Sequence, residues 1–216
     1  MRGFFITQMQ SVDYSPPLIL VQREKLMATK QDLFTSTRVS TLLQKNLLEQ
    51  RKIFLWGAVE DSTAKEIVEQ LVYLSSNEPK EPIHFYINSP GGVVTSGYAI
   101  YDIMQSIAAP VYTYCMGFAA SMGSILLSAG EKGNRYIYPL AEVMIHQPGM
   151  GGFQGRAPEI EIQAKQIIKT KDIAARILAE NCGQPIEKIK KDFDRDYWMD
   201  AQEAIAYGIV DKLADS

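Results

Sequence analysis

Residues 84–115 read HFYINSPGGVVTSGYAIYDIMQSIAAPVYTYC, and this stretch decides the fold class. His84–Asn88 alternates and is rich in aromatic and β-branched side chains, which predicts a strand. The Ser89-Pro90-Gly91-Gly92 run is a turn, and Val93–Ile107 has helical spacing. Val111–Cys115 is again a strand. Strand, helix, strand in this order predicts an α/β domain. Working outward, Lys52–Trp56 reads as a short strand and Asp61–Ser75 as a helix opened by Asp61-Ser62. In that helix Ala64, Ile67, Val68, Leu71, Val72 and Leu74 form a core-facing stripe. A further helix is expected over Ser40–Gln50, short strands at Arg135–Tyr138 and Glu142–Ile145, and a last helix at Ala201–Tyr207 ended by Gly208.

The longest helix runs from about Ala157 to Asn181 and is closed by Gly183 and Pro185. Its apolar residues, among them Ile160, Ile162, Ile167, Ile168, Ile173 and Ile177, lie on more than one face. A helix that must bury two sides in a chain of 216 residues predicts self-association. A helix buried on both sides within one core is the alternative. Pro16-Pro17 breaks the first segment, so residues 1–30 are expected to be a flexible arm or a processed leader, with Met27 a possible second start. Residues 31–216 then form a single domain.

The 46% apolar content and net charge of −3 describe an ordinary globular protein and argue against a nucleic-acid partner, which calls for a basic face. No apolar run reaches membrane-spanning length, and no secretory leader is visible. The two cysteines, Cys115 and Cys182, form neither a disulfide framework nor a redox pair. With two histidines they do not suggest a metal site. A cytoplasmic location is expected. Gly130-Glu131-Lys132-Gly133 lacks the spacing and hydroxyl of a phosphate cradle, so no cofactor is expected and any ATP dependence belongs to a partner.

Ser121 stands among small residues in Gly117-Phe118-Ala119-Ala120-Ser121-Met122-Gly123, between a strand and a helix-like run, Met122–Ala129. A serine hydroxyl needs a base, itself oriented by a third group. The chain has only two histidines, and His146 follows Ser121 by 25 residues. The helix N-terminus beyond Ser121 offers N–H donors to an oxyanion. For the acid, Asp192, Asp194 and Asp196 are all candidates, and spacing does not choose among them.

Four segments, Ser89-Pro90-Gly91-Gly92, Gly117–Gly123, Met144-Ile145-His146-Gln147-Pro148 and Asp194-Arg195-Asp196, resemble in order and spacing the signature segments of ClpP, the proteolytic subunit of the Clp proteases. The likeness runs from about Ile53 to Leu213. It implies a crotonase-like ββα superhelix with a protruding handle helix and strand at about 149–181. It implies Ser121 as nucleophile, His146 as general base and then acid, Asp196 as orienting carboxylate, and the N–H groups of Gly92 and Met122 as oxyanion hole. Gly149–Arg156 resembles the handle strand, with Gly151, Gly152 and Phe153 binding extended peptide by strand addition. Asp194 and Arg195 would pair between two stacked seven-membered rings. The implied partners are further copies of the chain, an AAA+ unfoldase of the Clp type and unfolded polypeptide; a paralogous ClpP subunit, where one exists, could supply the docking face in a mixed assembly.

The resemblance breaks in places. The stretch after His146 is about one residue longer than the family pattern. His84, Ser106 and Ala214 stand where larger apolar walls of the ATPase-docking pocket are common, while Tyr86 and Tyr136 fit, so weak docking is expected. Function reads as a serine endopeptidase that cleaves unfolded polypeptides to short peptides. The alternatives are a catalytically silent or partner-dependent subunit of a mixed barrel and, further off, a crotonase-type acyl-CoA enzyme.

Overall fold

The structure, a computed structural model, describes residues 36–149 and 155–214. The expected arm at 1–30 and the expected peptide-binding residues Gly151, Gly152 and Phe153 lie outside the described residues. The chain divides into two units between Asn46 and Leu47. Helix α1, Ser36–Glu49, begins in the first.

In the second unit, strands β1 (Lys52–Trp56), β2 (Ile83–Ser89) and β3 (Val111–Ala120) pair in parallel, with α2 (Asp61–Asn77) and α3 (Val94–Ser106) as crossovers. This is the α/β order expected from 84–115. The stripe of α2 buries Ala64, Ile67, Leu71 and Leu74, while Val72, about 100° round the helix from Leu71, is exposed. The helix is capped by Glu60 rather than by Asp61-Ser62, with the Thr63 hydroxyl accepting from Glu60 N–H at 2.9 Å.

β3 is twice the expected length. Its first half, Thr113–Cys115, pairs with β4 (Arg135–Ile137), and its second half, Phe118–Ala120, pairs with β5 (Glu142–Ile145). Gly117 separates the two halves at φ 69. One strand thus serves two neighbours in turn, and the sheet folds around it. Helix α4, Met122–Ser128, follows at once and is buried along its whole length.

Helix α5, Ala157–Cys182, is not buried on both sides within this one core, which sets aside the alternative reading of it. Ala174, Ala175, Leu178 and Cys182 are buried at its C-terminal end, whereas Ile162 and Ile168 are 68% and 60% exposed. It divides along its length, and its first half stands clear of the core. The remaining elements, α6 (Ile186–Asp192), β6 (Tyr197–Met199), α7 (Ala201–Tyr207) and β7 (Lys212–Leu213), close the unit. β6 runs antiparallel to β5, and β7 parallel to β4. Among the described residues no helix is long and apolar enough to cross a membrane.

One buried ion pair ties these layers together. Arg135, with its side chain 3% exposed, meets Asp211 at 2.6 Å and donates to the carbonyls of Ser128 and Asn181, the C-terminal ends of α4 and α5. Burial alone would raise the Asp211 pKa, but hydrogen bonds from the Arg135 guanidinium and from the N–H groups of Arg135 and Gly133 outweigh it and hold it below 3.8. A lowered folded-state pKa gives stability that is present above the unfolded value and lost as pH falls through the folded one. Asp211→Asn, which leaves a buried guanidinium without a counter-charge, is expected to cost about 3 kcal/mol. Chemical denaturation at pH 7 measures it, and the gap between variant and wild type should narrow below pH 3.8.

Candidate active site

Ser121 sits between β3 and α4 with φ 56 and ψ −121, and Arg51 is the other non-glycine residue at positive φ among those described. Both sides of the turn are pinned. Ser121 N–H donates to the Met144 carbonyl at 2.9 Å, and the Ser121 carbonyl accepts from Ser124 N–H at 3.0 Å and the Ser124 hydroxyl at 2.6 Å. Gly91 (φ 85) lies alongside. A Cβ there would come within 2.7 Å of Ala120 O, Met122 N and Ser121 Cβ, so only glycine fits.

Strand register brings the other two side chains in. Ala120 pairs with Met144, and Ile145 pairs with Tyr197. Ser121 is one residue past the first pair, His146 one past the second, and Asp196 one before Tyr197. The His146 Nε2 lies 2.8 Å from Ser121 Oγ, and its Nδ1 lies 2.9 Å from Asp196 Oδ1. A carboxylate only accepts, so Nδ1 carries the proton in the neutral ring, and Nε2 is left to accept from the serine hydroxyl. Asp192 and Asp194 go elsewhere. Asp192 accepts from Tyr207 Oη at 2.9 Å and Lys188 Nζ at 2.6 Å; Asp194 faces Gln147 and Lys171.

A cleft of about 300 Å³ opens beside Ser121, lined among others by Val94, Tyr98, Met122, Ile125, Pro148 and Ala174. Its walls are largely apolar. The Val59–Gly92 bridge uses the carbonyl of Gly91 and the N–H of Val93, so Gly92 N–H stays outside that ladder. A Cβ on Gly92 would run into the Val59 carbonyl. Met122 N–H belongs to the first turn of α4, where no intrahelical acceptor exists. Tyr98, Ile125 and Ala174 escaped the sequence reading, because nothing in their spacing places them near Ser121. Asp194 and Arg195 are exposed and, with His146, Gln147 and Asp196, line a separate open depression that shares only His146 with the cleft.

The other titratable groups stand apart. The thiols of Cys115 and Cys182 are buried and pushed up to about 12, so both are inert at neutral pH. His84 Nδ1 meets the Tyr114 hydroxyl at 2.9 Å, and burial first, then Lys52 and Arg51, lowers its pKa. His84 flanks a row of stacked rings, Phe54, Tyr86, Tyr114 and Tyr136, running across β1 to β4 at 5.0, 4.6 and 4.7 Å, with Lys212 over the last at 4.8 Å. Ser106 is exposed and Ala214 is buried. Among the described residues no group of three or more His, Cys, Asp or Glu side chains is arranged to hold a metal.

The sequence profile of the Clp protease family matches residues 35–216. The chain belongs to that family, and its mixed α/β fold is the fold of its members.

Proposed function

We propose that this member of the Clp protease family is a serine endopeptidase subunit with Ser121 as nucleophile, His146 as general base and then acid, and Asp196 as the orienting carboxylate. The observation that supports this most directly is the continuous chain of hydrogen bonds at 2.8 and 2.9 Å through the imidazole. Attack of Oγ on a peptide carbonyl moves the hydroxyl proton to Nε2. The N–H groups of Gly92 and Met122 receive the negative oxygen; one such donor is worth about 10²–10³ in rate. Collapse breaks the C–N bond, and the leaving amine takes the proton back from His146. Water then attacks the acyl ester by the same route and restores Ser121. The apolar cleft suits an apolar side chain on the acyl side of the scissile bond.

The substrate in this reading is unfolded polypeptide, delivered by a Clp-type AAA+ ATPase that hydrolyses the ATP. The exposed isoleucines of α5 support self-association into two stacked seven-membered rings, with Asp194 and Arg195 pairing between them. Parallel sheets are normally covered on both faces, and the half-exposed ring row from Phe54 to Tyr136 is the face left for the ATPase. With His84, Ser106 and Ala214 in place of larger apolar walls, that docking is weak, and a paralogous subunit in a mixed barrel strengthens it.

The test is covalent labelling of the purified chain by a fluorophosphonate probe, with Ser121→Ala as control. Labelling lost in Ser121→Ala is the expected result. An unlabelled wild-type chain would mean a silent or partner-dependent subunit and overturn the reading.

A further inference from the structure

We infer that Gln147 is a positioning residue that fastens the loop carrying Asp196 to the strand carrying His146; this rests on the serine-peptidase reading above. Asp196 is an unusual third member of a triad, because its side chain is 63% exposed. Among the described residues its side chain bonds to His146 alone. A carboxylate so exposed takes its direction from its backbone. That backbone is held on its C-terminal side by β6, where Tyr197 pairs with Ile145. On its N-terminal side the held points converge on Gln147. Its N–H donates to the Phe193 carbonyl at 2.6 Å, and its Nε2 donates to the Asp194 carbonyl at 2.9 Å and to Asp194 Oδ1 at 3.3 Å. Lys171 of α5 adds a looser contact to the same Oδ1 at 3.6 Å.

The residues on either side of His146 therefore grip the two ends of the 193–197 loop, and the His146–Asp196 bond spans the middle. Removing the side-chain half of the Gln147 grip leaves the main-chain bond in place but leaves Asp194 only the looser Lys171 contact. The Asp196 carboxylate then samples positions off Nδ1. A misplacement of about 1 Å in such a constellation costs up to about 10²-fold in rate.

The experiment compares Gln147→Met, which keeps bulk and loses the donor, Gln147→Glu, which sets an acceptor against Asp194, and Gln147→Lys, which keeps a donor. Each is measured alone and on an Asp196→Asn background. The readouts are the fluorophosphonate labelling rate, the thermal midpoint and the strongly deshielded Nδ1–H proton of His146 by NMR, assigned against His84→Asn. Labelling slowed roughly tenfold in Met, more in Glu, and retained in Lys is expected. On Asp196→Asn, Gln147→Met should have little further effect, since the grip acts through Asp196. The Nδ1–H signal should broaden in Met and Glu and persist in Lys. Rates and proton unchanged in Met overturn the inference, as does an equal loss in all three together with a fallen midpoint, which assigns Gln147 a purely structural role. If the wild-type chain is not labelled at all, the peptidase reading fails, and the proton signal alone decides the role of Gln147.

Discussion

Ser121→Gly is expected to abolish labelling and peptide hydrolysis and yet to melt at a higher temperature than Ser121→Ala. Both variants lose the nucleophile, which in a serine peptidase is worth about 10⁶ in turnover. Both also lose the same hydrogen bond to His146. They differ in the backbone. Ser121 is held at φ 56 and ψ −121, a conformation that opposes any residue with a Cβ. Such strain costs about 1–3 kcal/mol and persists only where the surroundings over-determine it. Here the Met144 carbonyl fixes the N–H, and Ser124 fixes the carbonyl. Alanine keeps the Cβ and the strain; glycine releases it, less about 0.5–1 kcal/mol for the freer unfolded chain. A net gain of about 1 kcal/mol corresponds to roughly 2–4 °C for a domain of this size. If glycine melts at or below alanine, the turn is not strained, and the exposure of Ser121 to substrate has another source.

The α/β order was legible from 84–115 because both strands and the helix between them carry their own periodicity. What escaped is what tertiary pairing decides. β3 read as ending at Cys115, since Met116-Gly117-Phe118-Ala119-Ala120 is weak strand sequence; it continues because β5 pairs with it there. β6 and β7, of three and two residues, exist through their partners β5 and β4. α6 is seven residues long with one buried residue, Ile189, too short to show a periodicity of its own. Around the site, Ser121 and His146 could be singled out by residue type and scarcity. The choice among Asp192, Asp194 and Asp196 could not, because three aspartates within five residues differ only in which way the chain turns after α6. Likewise the split of α5 into a packed and a projecting half follows from where the core ends, which the uniform spread of its isoleucines does not report.

Asp196→Asn is the second large effect, and its size tests how the triad is built. Where the aspartate of such a triad is buried, replacement by asparagine costs about 10⁴ in turnover, because the amide is held with its NH₂ toward the imidazole and forces the wrong tautomer. Asp196 is 63% exposed, and among the described residues its second oxygen meets no donor that would lock an amide. An asparagine there can turn its carbonyl to Nδ1–H and keep the productive tautomer. What is lost is the charge that stabilises the imidazolium. Between about 3 and 4 Å, at an effective dielectric of 20–80, that is about 1–5 kcal/mol, so a loss of between about 5-fold and about 5 × 10³-fold in labelling rate is expected. The carboxylate's share should also weaken with salt, since an exposed pair is screened. Raising ionic strength should therefore slow the wild type more than Asp196→Asn. A loss of 10⁴ or more, insensitive to salt, would mean that in the working enzyme Asp196 is enclosed and its second oxygen held, so that further copies of the chain complete the triad's surroundings.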